Sequence, residues 1–333
     1  MTVYGTRVKM VRVLLFGATG FIGNPLAAAL RRRGHTVYAV VRSEAKAIEL
    51  SKQELIPILG DASEPGTWTP VLDQVDIVID GSPSYGGISK GILDNIKSSS
   101  RVASAKKSRP KLGFIYISGV WVYGDYGDHP ELVADTTPVG PDGPRKPTGL
   151  VSWRPEFENS VLESRDVIDV LIVRPGMVFG GHGSLFGVFW KPLVEALKAN
   201  KTSEPVTLVG RPNATMTLVH KDDAAEAILN AVEKFETVSQ ISSPIFNLSA
   251  GHEKLGDINK TAAKVLGITG EIIHQAPTDP FSIAMSTSLL VDTTRSQQYL
   301  DWHPRHTSLI RNAEIYVKAH LYTTDYYSTV NKA

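Results

Sequence analysis

The chain has 333 residues, 42% of them hydrophobic and 21% charged, with a formal net charge of +1 and no cysteine. That balance gives no electrostatic reason to expect nucleic acid or an anionic membrane as partner, and the missing thiols exclude disulfides, thiolate catalysis and Cys-ligated metal centres. No apolar run approaches the roughly 18 residues of a membrane span, and the first strand starts too early for a cleavable signal, so the expectation is a soluble, cytoplasmic protein.

A chain this long exceeds one usual core, which predicts a large α/β domain with a smaller appended lobe. Val11 to Phe16 is a β-branched and aliphatic run, polar only at Arg12, and reads as a buried parallel strand. Gly17-Ala18-Thr19-Gly20-Phe21-Ile22-Gly23 follows, and then Asn24 to Leu30, rich in Ala and Leu, reads as a helix. Glycines at that spacing allow a tight turn, close approach of backbone N–H groups to a pyrophosphate, and close packing of helix on strand. The anion then sits on the helix N-terminus. Gly34-His35 closes the helix after Arg31, Arg32 and Arg33, a solvated end favoured by the dipole, and Thr36 to Val41 supplies a second strand. The unit predicts dinucleotide binding at Gly17, Thr19, Gly20, Phe21, Ile22 and Gly23.

Arg42-Ser43 stands where the second strand ends and the adenosine ribose should lie. An acidic residue there would bond a free ribose 2′-hydroxyl, whereas an arginine accommodates a 2′-phosphate. NADP(H) is therefore preferred, with NAD(H) possible; a plain surface arginine is the alternative. Leu55 to Asp61 reads as a third strand, making Asp61 and Ala62 candidates for the adenine edge, although Asp61 or Ser63 could equally cap a helix. Val75 to Pro83 reads as the fourth strand, where Gly81 and Ser82 would let backbone approach the cofactor; Ser84-Tyr85-Gly86-Gly87 is a loop that could border a substrate or simply turn. One helix from about Ile88 to Ala105 and a fifth strand, Leu112 to Ser118, complete an alternation that means a parallel sheet.

The glycine turn, Gly60-Asp61, Ile117-Ser118-Gly119-Val120-Trp121-Val122-Tyr123-Gly124-Asp125, Val173-Arg174-Pro175-Gly176-Met177-Val178-Phe179-Gly180 and Leu218-Val219-His220-Lys221-Asp222-Asp223 occur in that order. Together they resemble the extended short-chain dehydrogenase/reductases, the NAD(P)-dependent epimerase/dehydratase group, over about the first 250 residues. The resemblance implies a Rossmann-type doubly wound parallel sheet with a discontinuous C-terminal substrate lobe. It places residues 8–180 and 216–250 in the nucleotide-binding domain and 181–215 and 251–333 in the lobe. Pro175, Met177 and Val178 would line the nicotinamide side.

In that family a Ser or Thr four residues before the tyrosine of V-Y-G holds the substrate oxygen, and a Tyr-x-x-x-Lys pair supplies the proton, the ammonium lowering the phenol pKa. Here the first position is Gly119; Ser118 is one early, on the opposite strand face unless a bulge turns it toward the cofactor. Alignment of the next helix through Glu158, Val161 and Leu162 puts Leu150 at the tyrosine and Arg154 at the lysine. No tyrosine anywhere in the chain has lysine four residues later. Arg154 could still reach the cofactor ribose, though its pKa is far too high for a proton relay; pairing with Glu158 at i, i+4 is the alternative. Tyr123 and Tyr126 remain as candidate acids, with Trp121, Asp125, His129 and His182 as other nearby polar groups.

The sixth strand reads as Val167 to Val173, and Phe186, Phe189 and Trp190 suit either an apolar substrate pocket or, more simply, a lobe core. Asp223 is read as a helix cap and His220 as structural, and His303 with His306 lacks a third metal ligand, so no metal site is assigned. Family members often pair through the helices after strands four and five; Ser98-Ser99-Ser100 and Lys106-Lys107 make the first of these polar, which predicts a monomer or weak homodimer. Two functions stay open: an atypical NADPH-dependent oxidoreductase acting on a small, partly apolar metabolite, or a non-redox isomerase, cyclase or cofactor-sensing regulator on the same scaffold.

Overall fold

A computed structural model describes residues 9–82, 87–108 and 110–322. Ser84, Tyr85 and Gly86, the loop expected near a substrate, lie outside the described residues, as do position 8 and residues 323–333 of the expected domain ranges. In chain order the strands are β1 (Arg12–Phe16), β2 (Thr36–Val41), β3 (Ile56–Leu59), β4 (Ile77–Asp80), β5 (Gly113–Ile117), β6 (Leu132–Val133), β7 (Asp169–Pro175) and β8 (Met177–Phe179). They continue with β9 (Val206–Val209), β10 (Thr215–His220), β11 (Ile245–Leu248), β12 (Gly251–Lys254), β13 (Ile272–Gln275) and β14 (Leu290–Val291).

Seven strands form one parallel sheet in the order β11-β7-β5-β4-β1-β2-β3. Both faces are buried except at the edge strand β3, where Ile56 and Leu59 are exposed, which is why the inner strands read as continuous apolar runs. In β1, Val13 and Leu15 pack into the core on one side, and Leu14 and Phe16 into the core on the other, as alternation requires. Helices Gly23–Arg32 and Lys221–Glu233 cover the first face through Leu26, Leu30 and Ile228. Helices Ile88–Lys97 and Arg154–Glu163 cover the second through Ile92, Ile96, Phe157 and Val161.

Chain direction reverses between β1 and β4, the two strands the chain leaves in opposite directions, so a crevice opens beyond their carboxyl ends. Register makes that edge even. Phe16 lies beside Asp80, Asp80 beside Tyr116, and Tyr116 beside Ile172. The turns after β1, β4 and β5 are thereby set side by side.

Three local differences from the sequence reading have physical causes. The stretch expected as one helix is two, Ile88–Lys97 and Ser100–Ser108, because Ser98 Oγ donates back to Asp94 O at 2.9 Å and Ser99 Oγ accepts from Val102 N at 3.4 Å, ending one helix and opening the next. The sixth parallel strand runs two residues further than expected, to Pro175, carrying Arg174 inside it as a buried residue. Leu300 and Trp302, in the range assigned to the lobe, pack into the core of the large sheet, where Trp302 Nε1 donates to Asp223 O at 2.8 Å.

The second core gathers Phe186, Phe189 and Trp190 with Leu255, Ile258 and Tyr316, under the small sheet β12-β10-β8. Phe186 and Trp190 are 0% and 2% exposed, so the aromatic group is packing and not a pocket wall.

Candidate functional site

The cleft begins with backbone geometry. Gly17 has φ +82°, and a side chain there would meet Gly81 O at 2.3 Å, so the turn after β1 lies directly against the turn after β4. Gly20 N donates to Gly17 O at 2.8 Å, and a Cβ on Gly23 would come within 2.0 Å of the same oxygen. The start of helix Gly23–Arg32 is thus pressed onto the strand end, as the spacing predicts. Its N-cap is Ile22, which makes no side-chain cap; in the first turn Asn24 N donates to Gly20 O at 3.0 Å and Pro25 has no N–H, so Gly23 N is the amide left for an external anion.

Around this turn lies a cleft of about 480 Å³. Gly17, Thr19 and Gly20 line one wall, Gly81 and Ser82 another, and Arg42, Asp61 and Ala62 the far end, so eight of the sequence candidates share one cavity. Ile22 packs against the main core and Gly23 serves the helix contact, so neither lines the cavity. Phe21 instead reaches toward the loop after β8: a Cβ on Gly183 would stand 3.6 Å from its ring.

At the far end, Arg42 is 84% exposed and 4.0 Å from Asp61. Asp61 caps no helix. Its Oδ1 accepts from Ser63 N and Oγ, bonds that hold its carboxyl below the usual range. Ser43 N-caps helix Glu44–Lys52, and Lys46 in the first turn joins the cavity wall. Two cations and a helix N-terminus therefore line the place where β2 ends, Lys46 being paired with Glu49 at 2.8 Å.

Beyond β5, outside the lining of that cavity, stand Ser118 and Arg154. Ser118 is 7% exposed and its Oγ has no hydrogen-bond partner among the described residues. Arg154, the first residue of its helix, has a buried Nε likewise without a partner. It does not pair with Glu158, which is held by Arg174 at 2.5 Å. Its Nη1 stands 3.1 Å from where a Cβ on Gly119 would lie, with Pro175 O 3.7 Å from the same point. Met177 turns into the lobe core and Val178 packs on the main core, so neither side chain joins this group.

Tyr123 is not placed to act as an acid. It is 2% exposed; Arg174 Nη1 donates to its oxygen at 2.6 Å and its hydroxyl donates to Asn247 Oδ1 at 2.9 Å. Burial raises its pKa despite Arg174. Asn247 Nδ2 in turn donates to Asp292 O at 3.3 Å, so the network ties the β6–β14 pair to β11. Tyr126 lies under Arg145, 4.7 Å from ring centre to guanidinium carbon, and burial raises its pKa too. Asp125 is taken up by Arg211 and Ser288 N. The cap of helix Lys221–Glu233 is His220, whose Nδ1 accepts from Asp222 N; Asp223 instead accepts from the backbone of Arg305 and His306.

Residues 13–248 match the profile of the NAD dependent epimerase/dehydratase family. The chain belongs to that family. Among its relatives is the 3-diazoavenalumate denitrifying reductase of a Streptomyces species, 25% identical over 238 residues, or 68% of this chain and 74% of the relative. Photosystem II assembly factor Ycf39 of Synechocystis is 38% identical over 72 residues, but the match spans only 22% of either protein. UDP-glucuronic acid 4-epimerase from Bacillus cereus, solved with NAD, shares the fold with a TM-score of 0.65 at 18% identity, over 96% of this chain and 99% of that one.

For this family member, sequence reasoning named Ser43 only beside Arg42 and missed Lys46 and Asp80. Lys46 was visible as a cation one helical turn beyond a Ser cap, directly after Arg42. Asp80 ends β4 with 1% exposure; its Oδ1 accepts from Ser82 N at 3.0 Å and Ser82 Oγ at 2.5 Å, which shapes the Gly81–Ser82 turn. Burial pushes its carboxyl up, against the pull of Ser82 and, more weakly, Arg154. An acidic residue closing an apolar strand was the available signal.

Proposed function

We propose that this protein is an NADPH-dependent oxidoreductase of the epimerase/dehydratase type, acting on a small, partly apolar metabolite in the cytoplasm. The observation that carries the cofactor choice is the pair of cations, Arg42 and Lys46, in the wall of the cleft where β2 ends. A ribose 2′-phosphate there would find two positive charges and the amides of a helix N-terminus. The rest of the cleft fits a dinucleotide by the same test: a helix N-terminus at Gly23 without a side-chain cap, and a wall at Gly17 and Gly81 with no room for side chains.

A reduced nicotinamide, when bound, supplies the hydride. The chain's own part is to hold the two ends, orient the substrate and stabilise charge with Arg154 and Ser118. With Tyr123 buried and Tyr126 raised in pKa by burial, the proton comes from solvent. The name of the Streptomyces relative, a reductase, supports hydride chemistry. Among the described residues no helix is long and apolar enough to cross a membrane.

Fluorescence titration with both reduced cofactors tests the reading. NADPH should bind about tenfold or more tightly than NADH, and Arg42→Ala should remove most of that difference, since a charge-assisted phosphate contact is of that size. Equal affinities unaffected by the substitution would overturn the arginine argument. The absence of any Tyr-x-x-x-Lys pair favours a second reading, a non-redox enzyme or an NADP(H)-sensing regulator. NADPH that binds tightly but is never consumed with any of a panel of carbonyl compounds would decide for it.

A further inference from the structure

Arg154 stands beyond the carboxyl end of β5, half-buried beside Gly119 and Pro175 O. Among the described residues it makes no ion pair, and its buried Nε has no hydrogen-bond partner. Its Nη1 fills the space a side chain at residue 119 would occupy, 3.1 Å from the Cβ position. Gly119 has φ 173°, extended backbone open to any residue, so a side chain there would be opposed by the guanidinium, which would have to give by a few tenths of an ångström, and not by the chain path. Ser118, the residue before Gly119 in the chain, carries a second donor without a partner among the described residues, its Oγ, in a side chain 7% exposed. Asp80, the acid whose charge it feels, is 1% exposed and is bonded by Ser82.

We propose that Arg154, seated in the space left by Gly119 and flanked by Ser118, is a receptor for a carboxylate group of the substrate. A guanidinium offers a planar fork of N–H donors that matches two carboxylate oxygens. The cofactor's inner end does not supply this match, because its ribose and amide are neutral and an oxidised nicotinamide is itself cationic. The missing negative charge therefore arrives with the substrate, and leaving Arg154 without it would keep a half-buried cation unpaired. The inference rests on the reading of the cleft as a dinucleotide site, and it narrows the small metabolite to a carboxylic acid.

The test uses the full chain loaded with NADP⁺ and follows the Arg154 Nε–H signal by ¹⁵N NMR, assigned by its loss in Arg154→Lys. Benzoate and acetate should shift that signal in the millimolar range while benzamide and acetamide do not. Arg154→Met should weaken benzoate about tenfold or more, Arg154→Lys less, and Gly119→Ala should weaken it by crowding the guanidinium. NADPH affinity should change little in all three. Benzoate binding no better than benzamide would overturn the proposal, as would an Arg154 signal that answers to NADP⁺ alone with cofactor affinity lost in Arg154→Met, which would make Arg154 a cofactor ligand. If benzoate binds but NADP⁺ does not, the oxidoreductase reading fails and the carboxylate receptor stands.

Discussion

At the scale of single residues, the type of a side chain is a weak guide to its work, and Tyr123 shows why. A phenol two residues before Asp125 in a family motif invites an acid–base role, yet its oxygen here accepts from Arg174 and donates to Asn247 in a site with 2% exposure. Removing the hydroxyl leaves Asn247 Oδ1 without that donor and Arg174 Nη1 with only the long contact to Asp135 O at 3.5 Å. Tyr123→Phe should therefore lower stability by about 1–3 kcal/mol and leave NADPH affinity unchanged, as urea unfolding and fluorescence titration can show. Turnover lost at unchanged stability would return Tyr123 to the chemistry.

At the scale of elements, the two helices on the β4–β5 side of the sheet are those expected to meet a second copy. Helix Ile88–Lys97 turns Lys90, Asp94 and Lys97 outward, and helix Arg154–Glu163 turns out Glu156, Asn159 and Glu163. None of the large exposed hydrophobic side chains lies on either helix. Stable interfaces need an apolar, well-packed centre, so light scattering at micromolar concentration should give a monomer or weak dimer; a stable dimer that survives dilution would contradict this. These elements also show what a sequence makes legible. The parallel strands and glycine turn were readable because apolar runs and Gly spacing are local, and they placed Gly17, Gly20, Arg42 and Gly81 in one cleft. The Ser98–Ser99 break was hidden because it depends on which serine oxygen bonds which carbonyl. Arg154 was read as either a ribose contact or a partner of Glu158; only tertiary structure shows Arg174, from β7, taking that carboxylate instead.

At the scale of the whole molecule, two buried titrating groups oppose each other. His220 is 5% exposed; burial, then His306 stacked on it at 4.0 Å, holds its pKa down to about 4, although Asp222 and Asp223 pull upward. Its folded value is depressed below the ordinary 6.5, so the stability it contributes is present above that pH and is lost as pH falls toward 4. Asp135 behaves in the reverse sense: burial pushes its carboxyl up to about 6 against Arg295 and Arg174, so the folded state holds a proton and stability declines as pH rises from its ordinary 3.8 toward 6. Each shift corresponds to about 3 kcal/mol across its window. The two slopes overlap between pH 4 and 6 and largely cancel. Asp135→Asn should therefore make stability fall more steeply on acidification than in the unsubstituted protein, while His220→Gln should make it fall less or rise. Urea midpoints at pH 4.5 and 6.5 measure both slopes independently of any overall loss caused by leaving Arg295 unpaired. Curves parallel to the unsubstituted protein in both variants would mean that these buried groups do not govern its response to acid.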